Sequence, residues 1–305
     1  VRLVIGLGGN ALLRRGERAD FAVQQRNLAT ATDTLAAVAR EHEAVIVHGN
    51  GPQVGLLALE SAADRRLERP YPLDALVAET QGMIGYWLAG ALGTALPGRE
   101  VVAVLTRTRV DADDPAFARP AKFIGSGYDR TRADRLAADR GWALHQDGHR
   151  WRRVVPSPEP REVLELASVR LLLDSGAIVI AAGGGGIPVT ANGHPHGVEA
   201  VVDKDLVAAL LATELGADTL LLLTDVPAVQ RDFGTPRATP ITEATAQELA
   251  ALGLPDGSMG PKVEACRRFL AHGGRLAAIG ALDEAAAVLT GRAGTRILAA
   301  KERTP

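Results

Sequence analysis

Short apolar runs without polar alternation recur along the chain, at residues 1–7, 44–47, 101–105, 178–182, 219–223, 277–279 and 296–298. Runs of this length, rich in β-branched residues, predict strands buried on both faces. Helical periodicity fills the intervals. It predicts helices over 21–41, with Leu28, Leu35, Val38 and Ala39 roughly on one face, and over 55–67, with Pro52 well placed for a first helical turn. Further helices are expected over 73–92, over 161–175 with Gly176 as the stop, over 203–215, over 244–252 with Thr242 as a plausible N-cap, over 262–272 and over 283–289. Strands alternate with helices through both halves. The fold class is therefore α/β, with a mainly parallel sheet and helices on both of its faces.

The texture changes over residues 111–155, which are rich in Asp, Arg, Pro, Gly and Trp and only weakly periodic. Strand candidates at 142–145 and 151–155 flank an Asp147-Gly148 turn. This predicts a small inserted lobe and not a linker, because Trp142 and Trp151 need something to pack on. The lobe carries Lys122, which taken alone reads as solvated surface. In the helix over 73–92, the small residues Gly82, Gly85, Ala89 and Gly90 predict close helix–helix packing, in the core or at a subunit contact.

Composition narrows the function classes. A chain of 305 residues can bury a large core in one or two domains. A formal net charge of −2 gives no sign of a nucleic-acid or membrane-surface partner. The single cysteine, Cys266, excludes an internal disulfide and a Cys-rich zinc site, and its helical context predicts a small buried side chain. No apolar run approaches the roughly 18–20 residues that a membrane-crossing helix needs. The direct opening into a strand-like run predicts no signal peptide, and a cytosolic location is expected.

The candidate chemistry lies in glycines that follow strands or open helices, at 8–9, 49–55, 183–186 and 257–260. Consecutive glycines lose much backbone entropy on folding; what they permit is close approach of backbone N–H groups to a small anion. Two of these turns lead to lysines, Lys204 in Asp203-Lys204-Asp205 and Lys262 in Gly260-Pro261-Lys262. Asp225 ends a very apolar strand, the position at which open α/β sheets bind ligands. His48 reads as a hydrogen-bonded residue at a strand end, since no second His stands at ligand spacing. The P-loop motif, the protein-kinase signature set, the G-x-S-x-G elbow and H-E-x-x-H are all absent from the sequence. Backbone amides and lysines aimed at anions remain, and phosphoryl transfer needs little more.

With these residues assembled, the chain resembles the carbamate kinases of the amino-acid kinase superfamily along nearly its whole length. The resemblance rests on Leu7-Gly8-Gly9-Asn10-Ala11-Leu12, His48-Gly49-Asn50-Gly51-Pro52-Gln53-Val54-Gly55, Gln81-Gly82-Met83-Ile84-Gly85-Tyr86 and Arg152-Arg153-Val154-Val155-Pro156-Ser157-Pro158. It continues in Ala182-Gly183-Gly184-Gly185-Gly186-Ile187-Pro188-Val189, Val198-Glu199-Ala200-Val201-Val202-Asp203-Lys204-Asp205, Leu223-Thr224-Asp225-Val226 and Gly257-Ser258-Met259-Gly260-Pro261-Lys262.

The resemblance implies one α/β/α sandwich domain over 1–305 around a largely parallel eight-stranded sheet, with 111–155 as a protruding subdomain, in a homodimer. It implies reversible phosphoryl transfer between ATP and carbamate, giving ADP and carbamoyl phosphate, with Mg2+. Gly8, Gly9, Asn10, Gly49, Asn50, Gly51, Gly183 and Gly184 would then hold the transferring phosphoryl and the small acceptor. Lys204 and Lys262 would neutralise phosphate charge, Asp203 would hold those lysines, and Lys122 would close over the phosphoryl. Thr224, Asp225 and Val226, with Met259 and Gly260, would frame the nucleotide. No protein ligand to the metal is assigned. A carbamate oxygen is already anionic, so no general base is required.

The chain departs from the family at Ala121-Lys122-Phe123-Ile124-Gly125-Ser126, where the family has Thr-Lys-Pro-Ile-Gly-Pro. Prolines stiffen a loop, so the departure implies a lobe that holds Lys122 more loosely or covers a different acceptor. Arg107 stands where a Gln is common, and Pro227-Ala228-Val229-Gln230 replaces a more polar stretch. Two other readings accompany the first: a related kinase for another small carboxylate or phosphonate, and a nucleotide-binding regulator with little turnover.

Overall fold

The computed structural model describes residues 1–14, 16–192, 194–254 and 259–299. An eight-stranded sheet runs in the order Glu243–Thr245, Thr295–Leu298, Leu276–Ala281, Thr219–Thr224, Arg2–Leu7, Glu43–His48, Ile178–Ile180, Val101–Ala103. Neighbours pair in parallel except Leu276–Ala281 with Thr295–Leu298.

Alternate residues of each central strand serve opposite faces, and both faces are covered. Val4, Val45, Val179, Leu220 and Leu222 join a core with the helices Leu166–Asp174, Lys204–Glu214 and Met259–Ala271. Leu3, Ile5, Leu7, Ile46, Ile180 and Leu221 join a second core with Phe21–Ala39, Leu73–Ala95 and Ala285–Leu289. This is the three-layer α/β/α arrangement, and it explains why the strands read as continuous apolar runs. Cys266 is fully buried in the first core, and burial pushes its thiol pKa up.

Strand Arg2–Leu7 is the pivot. The first half of the chain builds outward from one side of it and the second half from the other, through Thr219–Thr224. Where strand order reverses, a crevice opens at the carboxyl ends of the strands.

Outside this sheet, Arg107–Arg109, Glu162–Val163, Ile187–Asn192 and His194–Gly197 form a four-stranded sheet. Lys122–Tyr128, Leu144–Asp147 and Arg150–Val155 form a separate antiparallel sheet of three strands. The helix Arg130–Arg140 beside it has no apolar stripe to announce it: only Ala133 and Leu136 are buried. Its ends are set by Asp129, which accepts from the Arg132 amide at 2.8 Å, and by Gly141 at φ +66°. Trp142 and Trp151 lie under the guanidinium groups of Arg153 and Arg130, at 4.2 and 4.6 Å from the ring centroids.

One expectation is corrected. The helix expected over 244–252 is Ala246–Ala250, capped by Thr245 in a reciprocal box with Glu248, because residues 243–245 are drawn into the sheet beside Thr295–Leu298. The small residues of Leu73–Ala95 face two ways. Gly85 lets the helix approach the sheet, where a β-carbon would lie 2.9 Å from that of Ala103, whereas Gly82 and Gly90 face open space.

Candidate active site

Three glycine turns meet at the carboxyl ends of neighbouring strands. Gly8 follows Arg2–Leu7, and Gly9 and Asn10 open the single turn of 3-10 helix Gly9–Ala11. Gly49 and Asn50 follow Glu43–His48, and Gly51 begins the helix Gly51–Ala63. Gly183 and Gly184 follow Ile178–Ile180. Their backbones touch. A β-carbon on Gly49 would stand 2.7 Å from the amide nitrogen of Gly9, and one on Gly184 would stand 2.2 Å from the carboxamide nitrogen of Asn50. Only glycine permits this approach. The first amides of helix Gly51–Ala63 have no intrahelical acceptor. Among the described residues, the amides of Gly183 and Gly184 donate to no protein group. Asn50 is buried and donates to the Thr80 hydroxyl at 2.9 Å.

Lys204 and Lys262 sit in the first turns of the helices Lys204–Glu214 and Met259–Ala271. The two ammonium groups converge on one carboxylate. Asp205 accepts from Lys204 Nζ at 2.5 Å through Oδ1 and from Lys262 Nζ at 2.9 Å through Oδ2. The expectation that Asp203 holds these lysines is corrected here. Asp203 is the N-cap of Lys204–Glu214, and its Oδ1 accepts from the amides of Asp205 and Leu206 at 2.9 and 3.3 Å. Its Oδ2 accepts from Lys122. The capping geometry turns the Asp203 side chain back over the helix end. Asp205, one step into the first turn, faces strand Arg2–Leu7 at Gly6, where a β-carbon would stand 3.6 Å from its Oδ1. Asp205 is the principal site residue missed in sequence. The signal was present, since an N-cap aspartate is committed to the helix amides and a second acid beside Lys204 is not.

The electrostatics follow from burial and this pairing. Burial alone would raise the Asp205 pKa, but the charges of Lys204 and Lys262 hold it well below the carboxylate range. Burial lowers the Lys204 pKa, Asp205 opposing and Lys262 adding to the effect. Burial also acts against the Lys262 ammonium, yet Asp205 outweighs it and the pKa rises. His48 is the hydrogen-bonded strand-end residue expected: its Nδ1 lies 3.1 Å from the Gly49 carbonyl oxygen. Burial, with a smaller contribution from Lys204, lowers its pKa to about 4, so the ring is neutral. Its Nε2 lies against Gly183, where a β-carbon would be 2.2 Å away.

Lys122 reaches this cluster from the three-stranded sheet. Its strand crosses the helix Gly51–Ala63 so closely that a β-carbon on Gly55 would stand 2.0 Å from the Cα of Gly125. Arg152 ties this strand down. Its Nε donates to the Gly125 carbonyl at 3.1 Å, its Nη1 pairs with Asp147 at 2.9 Å, and its guanidinium lies over the Phe123 ring at 5.3 Å. Arg107 is accounted for by Glu165, which it meets through Nε at 2.7 Å.

On the other side of the crevice, a β-carbon on Gly8 would stand 3.7 Å from the Cα of Thr224. The Thr224 hydroxyl donates to Asp225 at 3.1 Å, and Val226 follows, half-buried. Met259 and Gly260 open the helix that carries Lys262; Gly257 and Ser258 lie outside the described residues. Among the described residues no group of three His, Cys, Asp or Glu side chains could hold a metal ion. Asp203 and Asp205 already accept from lysines. An all-protein magnesium cage therefore does not fit, whereas an ion bound chiefly by substrate phosphates does.

Backbone amides and lysines at a strand-end crevice of an α/β sheet are a combination suited to anionic groups. The profile of the Amino acid kinase family matches residues 1–280, and the chain belongs to that family. Within the family the similarity is to carbamate kinases. That of Escherichia coli O6:H1 is 52% identical over 295 residues, covering 97% of this chain and 98% of the relative. The structure of carbamate kinase from Giardia lamblia bound to citric acid superposes with a TM-score of 0.91 at 37% identity, covering 98% of both chains. The same enzyme bound to AMP-PNP gives a TM-score of 0.86 at 37% identity, again with 98% of each chain covered.

Proposed function

We propose that this chain catalyses reversible phosphoryl transfer between ATP and carbamate, giving ADP and carbamoyl phosphate. The observation that carries the reading is the convergence of Lys204 and Lys262 on the buried Asp205 carboxylate beside the glycine amides. Two ammonium groups sharing one carboxylate leave net positive charge in a dry site, where it acts strongly on phosphate oxygens. In the forward direction an anionic carbamate oxygen forms the new bond to the γ-phosphorus, and ADP leaves with the electron pair of the broken P–O bond. No proton moves, and no base is needed; His48, neutral and packed against Gly183, is not placed to serve as one.

The amides of Gly9, Asn10, Asn50, Gly51, Gly183 and Gly184 cradle the transferring group, and Gly8 and Gly49 allow the turns to close. Lys122 exchanges Asp203 for the phosphoryl oxygens. Thr224, Asp225, Val226, Met259 and Gly260 frame the nucleotide, which brings Mg2+ with it as the counter-ion of its phosphates. Residues 111–155 act as a lobe that covers the small acceptor. The chain works as a cytoplasmic homodimer. The outward face of Leu73–Ala95, with Gly82, Tyr86 and Gly90 exposed, supports the dimer, and no described helix is long and apolar enough to cross a membrane.

The test is to supply the purified chain with ADP, Mg2+ and carbamoyl phosphate, with acetyl phosphate as a parallel phosphoryl donor, and to measure ATP. ATP formation that prefers carbamoyl phosphate is expected. A chain that binds ADP but forms no ATP from carbamoyl phosphate contradicts the proposal.

A further inference from the structure

One polar side chain near the cradle pairs with neither nucleotide-side lysine, yet both the nitrogen and the oxygen of its carboxamide are bonded. Gln81, on helix Leu73–Ala95 and 4% exposed, donates through Nε2 to the carbonyl oxygens of Thr106 and Gly183, both at 3.0 Å. Its Oε1 accepts from the Thr106 amide at 2.8 Å. Thr106, fully buried, accepts the amide of Ala182 on its Oγ1 at 3.0 Å and donates the hydroxyl to the Val104 carbonyl at 2.8 Å.

These bonds bear on a segment the backbone alone does not favour. Ala182 has φ +51°, in the left-handed region that an L-residue occupies at a cost, and Gly184 has φ +66°. Peptide planarity then sets the direction of the amides. In a trans peptide the carbonyl and the following N–H point opposite ways. The Gly183 carbonyl faces Gln81 and the Gly186 amide, so the Gly184 N–H points away from them. The Ala182 carbonyl faces the Gly185 amide, so the Gly183 N–H is likewise turned outward.

We infer that Gln81, acting with Thr106, is a positioning residue for the phosphoryl-transfer step: it fixes the peptide planes that aim the Gly183 and Gly184 amides at the transferring group. This inference rests on the phosphoryl-transfer reading above. Gln81 bonds the turn after Ile178–Ile180, one strand beyond Glu43–His48 from the pivot and on the side away from Thr224 and Asp225, so nucleotide binding should not depend on it.

The test compares Gln81→Met, Thr106→Val and Thr106→Ser with the parent chain in the carbamoyl phosphate assay and by amide hydrogen exchange of the peptide spanning 181–187. Gln81→Met keeps the side-chain length and loses all three bonds. A fall in kcat of about 100-fold is expected, the scale of a misplaced reacting geometry, with KM for ADP within about threefold of the parent and faster exchange over 181–187. Thr106→Val should behave alike, Thr106→Ser should restore most of the rate, and Gln81→Met with Thr106→Val should cost little more than either alone, since both act on one turn. Unchanged kcat in folded Gln81→Met, or a KM for ADP that rises in step with the loss of kcat, overturns the inference. A parent chain that makes no ATP sinks the phosphoryl-transfer reading instead; exchange over 181–187 that then stays unchanged in both variants overturns the clamp as well.

Discussion

The glycine cradle and the three-stranded lobe meet where Lys122 pairs with Asp203 and where Gly125 crosses Gly55, and they are built on different principles. The cradle stands on strands buried on both faces; backbone meets backbone at Gly9 and Gly49, and Gly184 meets the Asn50 carboxamide. Its charges sit on the buried set Lys204, Asp205 and Lys262. The lobe is held by arginines laid over Trp142, Trp151 and Phe123, by the Arg152–Asp147 pair, by strand pairing and by Ile124 and Val155, which pack with Val54, Ala58 and Leu76. The first construction fixes the amides and ammonium groups to which the proposed reaction assigns the phosphoryl group. The second holds one lysine, Lys122, whose part-exposed pairing with Asp203 would, in the proposed reaction, open without unfolding the lobe.

The contrast breaks most visibly at Asp205. Asp205→Asn strands two buried ammonium groups without their carboxylate. Stability should fall by about 3 kcal/mol and kcat by about 1000-fold, measured by thermal unfolding and ATP formation. A variant that retains both would remove Asp205 from the centre of the site. Next, Lys204→Ala should lower kcat by at least about 100-fold through lost charge stabilisation. Lys122→Ala should lower kcat with almost no change in Tm, because its pairing with Asp203 is partly solvated. A large loss of Tm in Lys122→Ala would mean that the lobe is part of the core.

A smaller effect separates the regions by substrate. Arg152→Ala frees the Gly125 carbonyl, Asp147 and Phe123, and should raise KM for carbamoyl phosphate about tenfold, the effect of losing about 1.4 kcal/mol of positioning, while KM for ADP holds. Equal rises in both would show that Arg152 supports the fold at large.

The smallest effect is in pH. Lys204 has its pKa lowered from 10.5, so its charge is lost as pH rises through a value below the ordinary lysine range. The alkaline limb of kcat/KM, which reports the free enzyme, should lie below 10.5 and move upward in Lys204→Arg. In stability the lowered pKa means that the burial penalty of Lys204 is fully present below its folded value and is relieved as pH rises between the folded and unfolded values. Asp205 has the opposite sense: its depressed pKa stabilises the fold above 3.8 and that contribution is lost as pH falls toward its folded value.

The same contrast governs what could be read from the chain. Burial on both faces leaves a direct trace in sequence, so the central strands and the glycine turns at their ends were legible, and with them Lys204 and Lys262. Helix Arg130–Arg140 left none, because its side chains are mostly polar and its partners are strand edges and arginine–aromatic stacks. The division of labour between Asp203 and Asp205 is legible only once the helix is known to begin at Lys204, which makes Asp203 the cap. Thr245 displaced Thr242 for a tertiary reason, the pairing of 243–245 with the last strand. The Gln81 clamp joins residues distant in sequence, and no local pattern announces such a bond.

The most direct test of the site as a whole is a crystal structure of the chain with ADP, Mg2+ and carbamoyl phosphate. The account predicts the phosphoryl group within hydrogen-bond reach of the Gly9, Asn50, Gly183 and Gly184 amides, with Lys204 and Lys262 on its oxygens and Lys122 moved from Asp203 onto it. A phosphoryl group bound elsewhere, with Lys122 still on Asp203, would contradict it.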